Sequence, residues 1–387
     1  MRHKISARME NIAPFHVMKL LARAKELEAQ GRIVVHMEIG EPDFDTPAPI
    51  VRAGIDALDK GFTHYTSSLG LTQLREAIAE FYHTSEDITL SPGSVVITPG
   101  SSGALQLVCG VLLDPGDEVI LTDPGYPCNR HFVQLMGGAP TFINLNEEDN
   151  YALSLEKVKQ QWTDKTRAIM LASPSNPTGV VIPDDTLDEI ARFAAEKNGY
   201  LILDEIYHGL LYDTPVKSFA GRHENVFIIN SFSKYSCMTG WRVGWLVAPE
   251  VFIKDIEKLA QNIFLAPPTV AQHAALQAFK PDTIEILESY RKEFQSRRDF
   301  LFDALRSLGF GISDKPQGAF YLYANSTGFS DNSYELAEDL LEYAGVAITP
   351  GIDFGTYKAR EHVRFAYTSS LTQLELGVAR LDSYINQ

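Results

Sequence analysis

Ser231-Phe232-Ser233-Lys234, followed by Cys237-Met238-Thr239-Gly240-Trp241-Arg242, sets a lysine directly after an apolar run and surrounds it with two hydroxyls and a guanidinium. A lysine desolvated at such a place has a depressed pKa and can attack a carbonyl to form a Schiff base. Ser231, Ser233 and Arg242 supply hydrogen-bond donors and a fixed charge for a phosphate. Taken alone, a lysine flanked by serines is usually solvated, so the argument rests on the whole run. Pro99-Gly100-Ser101-Ser102-Gly103 offers a second place for an anion, because the first N–H groups of a helix bind phosphate through unpaired donors and the helix dipole. It matches neither GxGxxG nor a P-loop, and a serine-capped helix start is the simpler account of it.

Further candidates are single residues. Asp204 closes the apolar run Tyr200–Leu203, with Tyr207 just beyond. A carboxylate at the rim of a buried strand is costly unless it faces a cation, although an N-cap role explains Asp204 equally well. Asn176 precedes Pro177, where asparagine is commonly a turn residue, and Tyr65 and Tyr126 are loop aromatics of the kind that pack over a core edge. Arg364, inside the run VRFAY, needs an anionic partner if buried, either a structural carboxylate or a ligand. No HExxH, metal-type His or carboxylate spacing, or GxSxG is present, so metal-dependent hydrolysis and serine-triad chemistry have no support.

The elements that must position these residues alternate. Amphipathic helices separate apolar runs at 95–98, 117–123, 167–173, 200–205 and 226–231, the pattern of a largely parallel sheet covered on both faces. The segments PGSSG, DPGYP, PSNPTG, DEIYHG and SFSK follow these runs, and ligands of open α/β sheets bind beyond the carboxyl ends of the strands. A helix is expected from about Pro14 to Gly31, and a long one after Pro281 ending at Gly309. The chain's 387 residues exceed the roughly 250 at which single cores divide, so two domains are expected. The N-terminal helix is expected to pack with the C-terminal one, making the smaller domain discontinuous.

Thirty-four basic against 50 acidic residues give a net charge of −16, which disfavours polyanions and requires placed cations for any anionic ligand. Cys109, Cys128 and Cys237 show no metal or disulfide spacing, and the basic N-terminus leads into no apolar segment; a cytoplasmic protein is expected, with no membrane or nucleic-acid partner.

In order and separation, GEPDFDTP (40–47), HYTSSLGLTQLREAI (64–78), SNPTG, DEIY, SFSKYSCMTGWRVG and VRFAY together resemble the class I aminotransferases, fold-type I enzymes that use pyridoxal 5′-phosphate. The resemblance implies an α/β fold: a large domain (46–283) whose mostly parallel sheet is sandwiched by helices, with a smaller α/β domain formed by 284–387 and part of the arm 1–45. It implies Lys234 as the Schiff-base and proton-transfer residue, Asp204 at the pyridine nitrogen, Asn176 and Tyr207 at the ring 3′-oxygen, and Tyr126 stacked on the ring. Ser101, Ser102, Ser231, Ser233 and Arg242 would hold the phosphate, with Tyr65 reaching over from the neighbouring subunit of a homodimer. Arg364 would clamp the substrate α-carboxylate, and Gly40 would let the backbone approach it. The implied reaction moves the amino group of an L-α-amino acid to a 2-oxo acid, 2-oxoglutarate or pyruvate being the expected acceptor.

The expected side-chain pocket, Phe15, His16, Val17 and Ile39, is mixed or apolar and points to neutral or aromatic donors, with aspartate still open. No second cation for a dicarboxylate is assigned beyond Arg130 as a conceivable one. A C–S β-lyase shares the same lysine and aspartate and is the alternative; a non-catalytic effector-binding module is a weaker one.

Overall fold

The apolar runs become strands, and the strands carry the site. In chain order they are β1 (Val35–His36), β2 (Val95–Thr98), β3 (Glu118–Asp123), β4 (Ala139–Asn144), β5 (Thr166–Ala172), β6 (Tyr200–Asp204), β7 (Val226–Ser231), β8 (Gly244–Val247), β9 (Tyr321–Asn325), β10 (Val346–Ala347), β11 (Thr349–Pro350) and β12 (His362–Ala366). The computed structural model describes residues 5–6, 9–10, 12–213 and 216–386, so part of the expected N-terminal arm lies outside the described residues. Seven strands form one sheet in the order β2-β8-β7-β6-β5-β3-β4. The β3–β7 strands pair in parallel, while β8 runs antiparallel between β7 and β2.

Side chains of these strands alternate between two buried faces, which explains their unbroken hydrophobicity. Ile169, Leu171, Leu201, Leu203 and Ile228 enter one core; Ala168, Met170, Ile202, Phe227 and Ile229 enter the other. Helices α1 (His16–Ala29), α2 (Ala48–Asp59), α3 (Thr72–Glu86), α4 (Gly100–Leu112) and α5 (Pro127–Leu135) precede β5.

A third core joins the two ends of the chain. Leu20, Ala24 and Leu27 of α1 pack with Leu301 and Leu305 of the long helix Pro281–Leu308 and with Leu374 and Leu381 of the last helix, Leu371–Ile385. Burying each leucine stabilises this assembly by about 1.5–3 kcal/mol. β1 pairs with β10, and β11-β12-β9 form a separate antiparallel sheet. The long helix ends at Gly309 with φ +100°, a left-handed C-terminal turn that favours glycine. α1 starts at His16 rather than near Pro14, because Asp353, far along the chain, accepts from the N–H groups of His16 and Val17, each at 2.8 Å. Among the described residues no helix is long and apolar enough to cross a membrane.

Candidate active site

The strand ends converge as an open α/β sheet requires. Beyond the carboxyl ends of β5, β6 and β7 lies a cavity of about 240 Å³, and eight of the residues predicted to hold the cofactor or the substrate carboxylate line it: Gly40, Ser101, Tyr126, Asn176, Asp204, Tyr207, Lys234 and Arg364.

Asp204, the last residue of β6, is 5% exposed. Its Oδ1 accepts the N–H of Ile206 at 3.0 Å, a local turn bond, and no ion pair among the described residues neutralises it. Burial raises its pKa to about 7. The surrounding walls desolvate the Lys234 amine and lower its pKa to about 8, with Arg364 and Arg242 adding repulsion against the pull of Glu41 and Asp204. Lys234 Nζ donates to the carbonyl of Gly40 at 2.6 Å. Gly40 itself must be glycine, since a Cβ there would run into the hydroxyl of Tyr321. That hydroxyl pairs with the Tyr207 hydroxyl at 2.8 Å.

Arg364 sits on β12, 5% exposed, without a carboxylate partner among the described residues. Its Nη1 donates to Asn176 Oδ1 (2.9 Å), and its Nη2 to the Glu38 carbonyl (2.7 Å) and Thr349 Oγ1 (3.3 Å). Nε has no acceptor. The guanidinium lies against the rings of Tyr321 (4.1 Å) and Phe354 (4.8 Å). Burying a cation this way is costly until an anion joins it, and the cavity is where that anion can come from.

α4 begins without a side-chain cap, so its first N–H groups are left for a ligand. Gly100 has φ +68°, and a Cβ on it would collide with the guanidinium of Arg242, which therefore stands at the helix start. Arg242 is steadied by donating to the Thr239 carbonyl at 2.9 Å. Ser231 and Ser233, both buried, join through their hydroxyls at 2.9 Å at the end of β7. A helix dipole, an arginine and serine hydroxyls at adjoining strand ends are groups able to hold an anion. Ser102 lies in the first turn of α4 without lining the cavity, and Tyr65, 80% exposed, does not line it either.

The expected side-chain wall needs one correction. Phe15, Val17 and Ile39 line the cavity, joined by Met18 and Leu21, but His16 does not, its ring packing edge-on to Tyr334. Arg130 also lies outside the lining; its guanidinium carbon stands 5.8 Å from the Phe142 ring. Tyr321, Thr349, Asp353 and Phe354 were not anticipated. The turn-rich PGIDFG at 350–355, directly after a short apolar run, was the signal available for the last two.

Comparison with known proteins places this geometry. Residues 32–381 match the family model described as aminotransferase class I and II. The chain is 39% identical over 386 residues to the (5-formylfuran-3-yl)methyl phosphate transaminase of Methanocaldococcus jannaschii, covering 99% of this chain and all of the relative. It is 36% identical over 397 residues to an aspartate aminotransferase of a Bacillus species, with both chains fully covered. The crystal structure of an aminotransferase from Mycobacterium tuberculosis superposes with a TM-score of 0.95 at 34% identity, over 99% of each chain.

Proposed function

The chain belongs to the class I and II aminotransferases, and from that membership we propose that it moves the amino group of a neutral or aromatic L-α-amino acid to 2-oxoglutarate or pyruvate. The family's cofactor, pyridoxal 5′-phosphate, supplies when bound an electron-accepting ring that stabilises negative charge at the substrate Cα. The residues present fit it. The uncapped start of α4, with Arg242, Ser231 and Ser233, suits a phosphate dianion. Asp204, buried and without an ion pair among the described residues, suits a protonated ring nitrogen, and Lys234, with its lowered pKa, suits attack on an aldehyde carbon.

Arg364 would hold the α-carboxylate bidentately, aiming the Cα–H bond at Lys234, which would move that proton; positioning of this kind carries much of the rate. Asn176 would orient Arg364 from one side, and Tyr207 with Tyr321 would close the wall opposite. The observation that carries the reading is Arg364 itself, a buried cation with no carboxylate partner among the described residues and an orphaned Nε. The apolar side chains of Phe15, Met18, Leu21 and Phe354 support neutral or aromatic donors over aspartate. Arg130, which is not among the residues lining the cavity, lends no support to a dicarboxylate.

We also read the protein as a cytoplasmic homodimer. An exposed Tyr65 that does not line its own chain's cavity supports its reaching the phosphate of the partner's site, and three free cysteines fit the compartment. We divide the chain into a cofactor-binding domain, 46–283, and a smaller one from 284–387 with part of 1–45; the shared core of α1 and the C-terminal helices supports that division.

The test is a panel of amino acids scored by the loss of the bound cofactor's aldehyde-state absorbance, followed by its recovery with a panel of 2-oxo acids. Conversion by phenylalanine, leucine or valine ahead of aspartate is expected. Steady pyruvate release from cysteine conjugates without an added oxo acid would overturn the transaminase reading.

A further inference from the structure

Asp123, the last residue of β3, carries a carboxylate for which the chemistry above has no task, and it is 3% exposed. Its Oδ2 accepts from the N–H groups of Thr356 (2.8 Å) and Tyr357 (3.2 Å) and from the Thr356 hydroxyl (3.2 Å). Its Oδ1 has no hydrogen-bond partner among the described residues and lies against Gly355, where any side chain would collide with it. Two more bonds tie the same loop to the same end of the large sheet. Gly125 N–H donates to the Phe354 carbonyl (2.9 Å), and the Tyr357 hydroxyl donates to Asn146 Oδ1 (2.7 Å).

The loop held in this way, residues 351–357, is the first part of the connection from β11 to the strand of Arg364 and carries two cavity residues. The Phe354 ring stands 4.8 Å from the Arg364 guanidinium carbon. Asp353 uses both carboxylate oxygens to cap α1, at 2.8 Å to each of two N–H groups. α1 in turn contributes Val17, Met18 and Leu21 to the apolar wall. Short polar contacts thus tie the carboxyl end of β3 to the loop, and the loop in turn to the helix that lines the cavity.

We propose that Asp123 is a positioning residue for the substrate side-chain wall: by gripping the loop 351–357 it fixes Phe354 against Arg364 and, through Asp353, fixes α1 over the cavity. Bonds to a charged acceptor are roughly twice as strong as neutral ones, which favours a carboxylate over an amide at this position. The proposal rests on reading the cavity as an amino-acid site, and its consequence is a loss of substrate binding without loss of chemistry.

The experiment compares the cofactor-loaded wild type with Asp123→Ala, Asp123→Asn and Tyr357→Phe. Asp123→Ala is expected to raise KM for large neutral donors about tenfold while kcat stays within about threefold, since a misplaced binding wall weakens ground and transition states alike. Asp123→Asn, which keeps an acceptor oxygen, should return KM to within about threefold of wild type, and Tyr357→Phe, which cuts only the second tie, should raise KM about threefold. Hydrogen exchange at 16–21 and 351–357 should quicken in Asp123→Ala and be restored in Asp123→Asn. Unchanged KM with unchanged exchange would overturn the proposal, and so would a fall in kcat alone with exchange quickened throughout the molecule. If Asp123→Ala fails to fold, Asp123→Asn and Tyr357→Phe still decide, because unchanged exchange in the loop and in α1 of Tyr357→Phe contradicts the linkage. The exchange readout does not depend on which amino acid is the donor, so a failure of the donor assignment registers separately in the wild-type panel.

Discussion

Burial displaces Lys234 and Asp204 in opposite directions, and each displacement has a sign that can be tested. The carboxyl of Asp204 holds its proton to about pH 7, whereas an unperturbed aspartate ionises near 3.8. Between those values the folded chain binds the extra proton, so the stability due to this group is present at low pH and is lost as pH rises through about 7. Cofactor-free wild type should therefore lose more melting temperature between pH 5 and 8 than Asp204→Asn does, as read by thermal unfolding. Lys234 is the reverse case: with a folded pKa of about 8 against 10.5, the protein without cofactor gains stability from this group as pH rises through that interval. Lys234→Ala should lower turnover at least about a thousandfold, because the proton-transfer group goes with the attachment point. Borohydride reduction should then leave no cofactor mass on the peptide. Arg364→Leu should raise KM for amino and oxo acids alike by about 100-fold, the usual cost of truncating one partner of a buried charge pair. An effect confined to one side-chain class would mean that Arg364 reads the side chain instead.

The anion site depends on how α4 begins. Gly100 adopts φ +68° with Arg242 packed on it, so Gly100→Ala combines left-handed strain of about 1–2 kcal/mol with displacement of the guanidinium. The variant should melt earlier and release phosphate-bearing cofactor faster in a dilution assay; retention at the wild-type rate would remove this turn from the phosphate site. Elements of this kind were legible in the sequence. The strands of the large sheet are unbroken apolar runs because both faces are buried, and Lys234, Asp204 and Asn176 stand at or just beyond strand ends where an α/β sheet collects its ligands, while Arg364 reaches the same cavity from the middle of β12 in the smaller sheet. Contacts between distant parts of the chain were not legible. Nothing near α1 in sequence announces that Asp353 sets its first residue and turns His16 outward. Tyr321 reads as one more aromatic in a strand until the fold lays it against Gly40 and Tyr207.

At the scale of the whole molecule, −16 overall and a site that must hold a phosphate and a carboxylate are compatible because the cations are local. Lys234 and Arg364 line one cavity, with Arg242 at the helix start beside it, while the acidic excess is spread over the rest of the chain. In the proposed dimer, Tyr65 completes the site of the other subunit, and this has an outcome that no monomer-based account shares. A Lys234→Ala homodimer is dead in both sites, and a Tyr65→Ala homodimer binds cofactor poorly in both. Mixing the two subunits puts both lesions in one site and leaves the other with an intact Lys234 and an intact Tyr65 from the partner. The hybrid, isolated by two different affinity tags, should therefore recover about half of the wild-type activity per dimer and wild-type cofactor affinity in one site, since each intact site works independently. If Tyr65 served its own chain, the only lysine-bearing site of the hybrid would lack it, and the hybrid would show the weak cofactor binding of Tyr65→Ala.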